Sequence, residues 1–132
     1  RLPKGTSREQ EVASASRELA SLASELDIVL FVACQLNRQL ESRPLRDRRP
    51  RMSDLRESGQ LEQDADGILF LFREAAYNQG CSQPELLEVG IAKQRNGRAP
   101  RTAFCLYQPG DGYVRNLSAG DEMRASAGKS HL

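Results

Sequence analysis

The sequence is poor in the residues that carry metal and covalent chemistry. Its one histidine, His131, stands next to the end of the chain, which excludes a mechanism resting on a core histidine. The three cysteines, Cys34, Cys81 and Cys105, are odd in number and widely spaced. A disulfide framework needs pairs and a zinc site needs closely set ligands, so they read as reduced thiols of a cytosolic protein. No apolar run approaches the roughly 20 residues of a membrane span. The Arg-rich, non-apolar start does not resemble a secretory signal. A formal net charge of +1 points to no class of partner.

What is present fits one soluble globular domain, complete or partial: 132 residues, 39% hydrophobic and 28% charged, enough for a modest core. Thr6 with Glu9, and Ser7 with Gln10, both have capping-box spacing. Val12, Ala15, Leu19, Leu22 and Leu26 then predict one apolar stripe on a helix ending near residue 26, with Arg17, Glu18 and Glu25 opposite. The run 28–33, Ile-Val-Leu-Phe-Val-Ala, is unbroken rather than alternating, as expected of a central strand covered on both faces in a parallel sheet. A helix feeding such a strand is half of a βαβ unit and implies a strand before residue 1.

Residues 34–50 read as a polar loop that Pro44 and Pro50 keep from becoming helical. A second buried strand is expected over 68–72, an irregular excursion over 74–84, and a strand with one polar face where Leu87, Val89 and Ile91 alternate. Asn96-Gly97 predicts a turn, 102–107 an antiparallel return, and 108–112 a further turn. The small, polar, patternless residues 116–132 predict a disordered tail beyond a domain over 1–115.

Between the polar loop and the 68–72 strand lies the densest group of charges and amides, 53–66. Ser53 or Asp54 would cap a first helical turn, Gly59 would interrupt it, and a second turn would feed the strand. An ordinary solvated connector has the same composition.

Several groups could carry chemistry. Gly128-Lys129-Ser130 resembles the end of a phosphate-binding loop, but the required earlier glycine is replaced by Met123 and no helix can follow. Gln35 and Asn37 stand where a parallel strand would end, the edge at which open α/β sheets place ligands. Gln35 could sense a terminal phosphate as a neutral amide, or one of the two could simply cap the strand end. Lys93 and Arg95, two apart on a strand, share a face and suit a polyphosphate supplied by a neighbouring molecule; a basic strand end would look the same. Arg43, Arg46, Arg48, Arg49 and Arg51, beside only Asp47, could track a nucleic-acid backbone or form a solvated loop.

In order and spacing, Gln35-Leu36-Asn37-Arg38, the block from Ser53-Asp54-Leu55-Arg56-Glu57-Ser58-Gly59 to Glu62-Gln63-Asp64-Ala65-Asp66, and Lys93-Gln94-Arg95-Asn96-Gly97 resemble the later half of the ATPase domain of DnaB-type replicative DNA helicases. The resemblance runs from about residue 7 to 115. It implies an α/β fold, the C-terminal half of a RecA-like P-loop NTPase sheet, with central parallel strands flanked by helices and an antiparallel hairpin on the C-terminal side. It also implies a homohexameric ring that translocates on single-stranded DNA and unwinds duplex, using ATP at subunit interfaces and Mg2+, with primase and a helicase loader as partners.

By that resemblance Gln35 is the phosphate sensor, Lys93 and Arg95 reach the neighbour's ATP with Arg95 as arginine finger, and the loop carrying Arg56, Glu57 and Gly59 holds DNA phosphates through Arg56 and backbone amides near Gly59, with Glu57 positioning Arg56. Cys34 replaces the family's usual serine and Arg98 its usual proline. The phosphate-binding loop, the magnesium-binding acidic strand and the catalytic glutamate are not found in these residues, so this chain alone is expected neither to bind those cofactors nor to hydrolyse ATP. A recombinase-type RecA-like ATPase and a non-catalytic adaptor built on the same fold remain alternatives.

Overall fold

The computed structural model describes residues 7–118 and 120–121. Thr6, one of the two candidate caps, and residues 119 and 122–132 of the expected tail lie outside them. Ser7 starts the first helix, α1 (Arg8–Glu25). Its hydroxyl accepts the Gln10 N–H at 3.3 Å, and its own N–H donates to Gln10 Oε1 at 3.1 Å, closing the capping box. The helix ends in a Schellman turn: Asp27 takes a left-handed φ of 50°, and the Ile28 and Asp27 N–H groups donate back to Ala23 and Ser24 at 3.0 and 3.4 Å.

The inward face of α1 differs from the expected stripe. Ser16 is buried, Val12, Leu19 and Ala23 are partly covered, and Ala15, Leu22 and Leu26 are exposed. The cause lies in the packing partner. Helix α1 lies against α2 (Gly59–Asp64) and the 3-10 turn before it, and Asp64 there accepts the Ser16 hydroxyl at 2.7 Å. With Ser16 turned toward α2, part of the apolar surface of α1 faces outward.

Four strands follow in a sheet of order β1-β2-β3-β4: β1 (Gly67–Phe72), β2 (Leu86–Gln94), β3 (Arg101–Gln108) and β4 (Tyr113–Asn116). Helices and sheet give the expected α/β class. Every ladder among the described residues is antiparallel, so the central parallel strands are not formed. The run 28–33 is the clearest case. None of the four strands pairs with it, and Val29 and Phe31 are 82% and 85% exposed. A parallel ladder needs a second strand delivered by a crossover, and the one element described before this run is α1.

For the same reason β1 is an edge strand rather than a fully buried one. Phe70 and Phe72 point into the core, and Leu69 and Leu71 on its other face are exposed. Strand β2 is partly covered along nearly its whole length rather than polar on one face. The connection from β2 to β3 spans 95–100, longer than a two-residue Asn-Gly turn, because the last β2–β3 pair is Ile91 with Arg101; beyond it β2 pairs with β1 alone. A Cβ at Gly97 would meet the end of the Gln94 side chain at 2.3 Å, so the amide would have to move aside for any larger residue.

Strand β4 went unread in the sequence, although the 109–112 turn ahead of it, with Gly112 at φ 65°, was expected. The described part of the expected tail is anchored: hydrogen bonds from Ser118 and the ion pair with Arg115 lower the Asp121 carboxyl to about 2.

Candidate functional site

The approach to β1 and the end of β2 are brought side by side by the antiparallel ladder, in which Ile68 pairs with Lys93 and Gly67 with Gln94. Lys93 reaches the end of α2, donating to the carbonyl oxygens of Glu62 at 2.6 Å and Gln63 at 3.1 Å. Carbonyls in a helix's last turn lack intrahelical partners, and a cation there is favoured by the helix dipole. Arg95, just past β2, donates its N–H to the Asp66 carbonyl at 2.8 Å, and its guanidinium lies 2.5 Å from the Asp66 carboxylate. Both cations therefore share a side, as expected, and both engage 62–66. Arg95 and Asp66 are 56% and 77% exposed. Such a surface pair contributes about 0–1 kcal/mol, so a more highly charged anion could displace it.

At the other end of α2, the helical turn expected from 53 onward is a 3-10 turn, Met52–Ser58, with non-helical geometry at Leu55. Arg56 and Glu57 lie on it, and Gly59 opens α2 rather than breaking a helix; the side chains of 56–59 are outside those described. Asp54 does not cap the turn that follows. It is buried and accepts from both terminal nitrogens of Arg43 and from the Arg51 N–H at 2.8 Å. Burial, the largest influence, pushes its carboxyl upward. The Arg43 and Arg51 hydrogen bonds and charges together outweigh it and hold the group below the usual carboxylate range.

Gln35 is exposed. Two residues on, the Asn37 side chain accepts the Gln39 N–H at 3.0 Å and caps the 3-10 turn Arg38–Ser42. The expected strand-end cap is not formed, since among the described residues no strand precedes these two; Asn37 caps the following 3-10 turn instead. The Asn37 N–H donates to the Asp54 carbonyl at 3.2 Å, so the segment carrying Gln35 and the turn carrying Arg56 are joined directly.

The arginine cluster is mostly folded into the protein rather than free to follow a backbone. Arg43 is held by Asp54. Arg48 donates to the Arg43 carbonyl at 2.8 Å and lies over the Tyr77 ring. Arg49 makes a two-pronged contact with Glu88 at 2.8 and 2.7 Å and lies over Phe72. Arg46 is 79% exposed, and Arg51 is exposed beside Asp47. The loop 38–50 is thereby fastened to β1 and β2, with Leu40 in the core. The short-range pattern of like charges hid this, because the partners lie far along the chain.

Among the described residues no group of three or more His, Cys, Asp or Glu side chains could hold a metal ion. Among the described residues no helix is long and apolar enough to cross a membrane.

The family model for the DnaB-like helicase C terminal domain matches residues 2–109. The replicative DNA helicase DnaB of Geobacillus stearothermophilus is 49% identical over 90 residues, which cover 68% of this chain and 19% of that protein. DnaB of Buchnera aphidicola subsp. Baizongia pistaciae is 52% identical over 90 residues, with the same coverage. The chain thus spans about a fifth of the length of these curated relatives. Among solved structures, a DnaB-like replicative helicase described with its interactions with primase superposes with a TM-score of 0.81 at 42% identity, covering 89% of this chain and 28% of that one. These matches favour a replicative helicase over a recombinase-type ATPase.

Proposed function

The chain belongs to the DnaB-like helicase C-terminal domain family, and from that premise we propose that it supplies the interface side of a replicative helicase motor. In this reading the whole protein is a homohexameric ring that couples ATP hydrolysis to translocation along single-stranded DNA. This chain presents Lys93 and Arg95 to the ATP of the neighbouring subunit. Arg95 is the finger, whose fork-shaped guanidinium stabilises charge that develops on the transferring phosphoryl group. Lys93 adds a second cation at the same place. Gln35 senses the terminal phosphate, Arg56 and the backbone amides near Gly59 hold DNA phosphates, and Glu57 positions Arg56. Primase and a loader are its protein partners.

The observation that carries this reading is the placement of Lys93 and Arg95 on one side of the β2 end, in weak surface contacts with 62–66. A polyphosphate entering there could take both cations without breaking the core. ATP, held with Mg2+ by residues outside this chain, would supply the phosphoryl group; the chain's own part is to orient and neutralise it. Arg95→Ala in the full-length ring is expected to abolish ATP turnover while leaving nucleotide binding within about threefold, since a group that acts on developing charge contributes to kcat more than to ground-state binding. Retained turnover in a properly assembled ring would overturn the finger assignment.

A further inference from the structure

Asp54 occupies the only described point at which the Gln35 segment and the 52–58 turn are hydrogen-bonded to each other. Its carbonyl accepts the Asn37 N–H, two residues beyond Gln35, and Arg56 lies two residues beyond Asp54. Its carboxylate, 4% exposed, gathers Arg43 and the Arg51 N–H into the same knot. Beside it Leu55 is buried, as is Leu40 in the turn between Asn37 and Arg43. At this joint the polar groups are paired and the apolar neighbours are buried. A buried ion pair is a poor source of stability, because an apolar substitute of similar volume often serves as well. What it supplies is one defined geometry between two segments.

We infer that Asp54, locked by Arg43, is a positioning residue that transmits displacement of the Gln35 segment to the DNA-contacting turn at 56–59. This rests on the helicase reading above and deepens it by naming the mechanical link. When Gln35 shifts toward or away from a terminal phosphate, Asn37 carries the Asp54 carbonyl with it, and the Arg43 clamp makes the turn follow as a body rather than flex at Leu55.

The test uses the full-length ring and three variants, Asp54→Asn, Arg43→Ala and Arg43→Lys. Single-stranded DNA affinity is measured with ADP and with a non-hydrolysable ATP analogue, alongside ATP turnover without and with DNA. Allosteric couplings of this kind amount to roughly 5- to 150-fold in affinity. In Asp54→Asn and Arg43→Ala the ratio between the two nucleotide states is expected to fall to about 2 or less, and DNA to stop stimulating turnover, with DNA-free turnover kept within about twofold of the unmodified ring. Arg43→Lys, which keeps the charge but not the fork, is expected to recover part of the ratio.

An unchanged ratio in assembled Asp54→Asn or Arg43→Ala rings would overturn the proposal. Should Asp54→Asn fail to assemble, the two Arg43 variants decide the matter by the same ratio. If the unmodified ring itself shows no nucleotide-dependent DNA affinity, the helicase reading fails, and the Asp54 proposal with it.

Discussion

Lys93 Nζ lies 2.6 Å from the carbonyl oxygen of Glu62, in the last turn of α2. Strand β2 and the helix that begins at Gly59 are thus tied at the helix's C-terminal end, and Arg95 repeats the tie at Asp66. A cation at this position stabilises an exposed helix end by about 0.3–1 kcal/mol.

Lys93→Met is accordingly expected to raise amide exchange at the end of α2 roughly two- to fivefold, the factor that corresponds to that energy. Ala65, whose N–H donates to the Leu61 carbonyl at 3.1 Å, is the reporter. Amides of the β1–β2 ladder around Val89 serve as the internal reference and should not change. Equal exchange at Ala65 in the two proteins would show that Lys93 does not hold the helix in solution.

The contact between Ser16 and Asp64 gives a pH dependence with a definite sign. The Ser16 hydrogen bond, and then that of Gln60, lower the Asp64 carboxyl below its ordinary value of 3.8. A group depressed in the folded state contributes stability that is present above the unfolded value and lost as pH falls through the folded one. The α1–α2 packing should therefore hold at neutral pH and loosen as pH drops below 3.8. Asp54, also depressed, weakens in the same direction, so Ser16→Ala is needed to isolate Asp64. The variant should raise the Asp64 pKa, read by carboxyl NMR titration, and flatten the loss of stability on acidification. A titration curve at Asp64 indistinguishable from that of the unmodified protein would contradict the contact.

The contrast between what local pattern revealed and what it hid has a physical basis. The Ser7 cap, the boundary at Gly59 and the strand at 67–72 follow from neighbours within a few residues, and they were legible. Lys93 and Arg95 do meet on one side, but Arg95 lies just past the end of β2 rather than on the strand, and it is the contacts of both with 62–66 that bring them together. The run 28–33 announced a need for burial but not what would bury it, and no described strand covers it. Asp54 looked like a helix cap because caps are read locally. Its partners Asn37 and Arg43 stand 17 and 11 residues earlier, and nothing in the pattern joins them. The one available signal was a surplus of arginines with a single acid among them, which implied that acids from elsewhere in the chain would be drawn in.

That surplus separates two arginines that composition alone makes equivalent. Arg49 is committed to Glu88, on β2, and to the Phe72 ring. Arg56 lies on the turn that the proposed function assigns to DNA. Removing one cation from a phosphate lowers the slope of log affinity against log salt by about 0.7 for a single strand. Arg56→Ala in the full-length ring is therefore expected to weaken single-stranded DNA binding and reduce that slope by about this amount. Arg49→Ala should leave the slope unchanged. It should instead cost about 1 kcal/mol in chemical unfolding, because the mostly buried Glu88 carboxylate is left without its partner while solvent already screens the half-exposed arginine. If Arg49→Ala lowers the salt slope as much as Arg56→Ala does, the arginine loop is a DNA surface after all and its hold on β1 and β2 is released on binding.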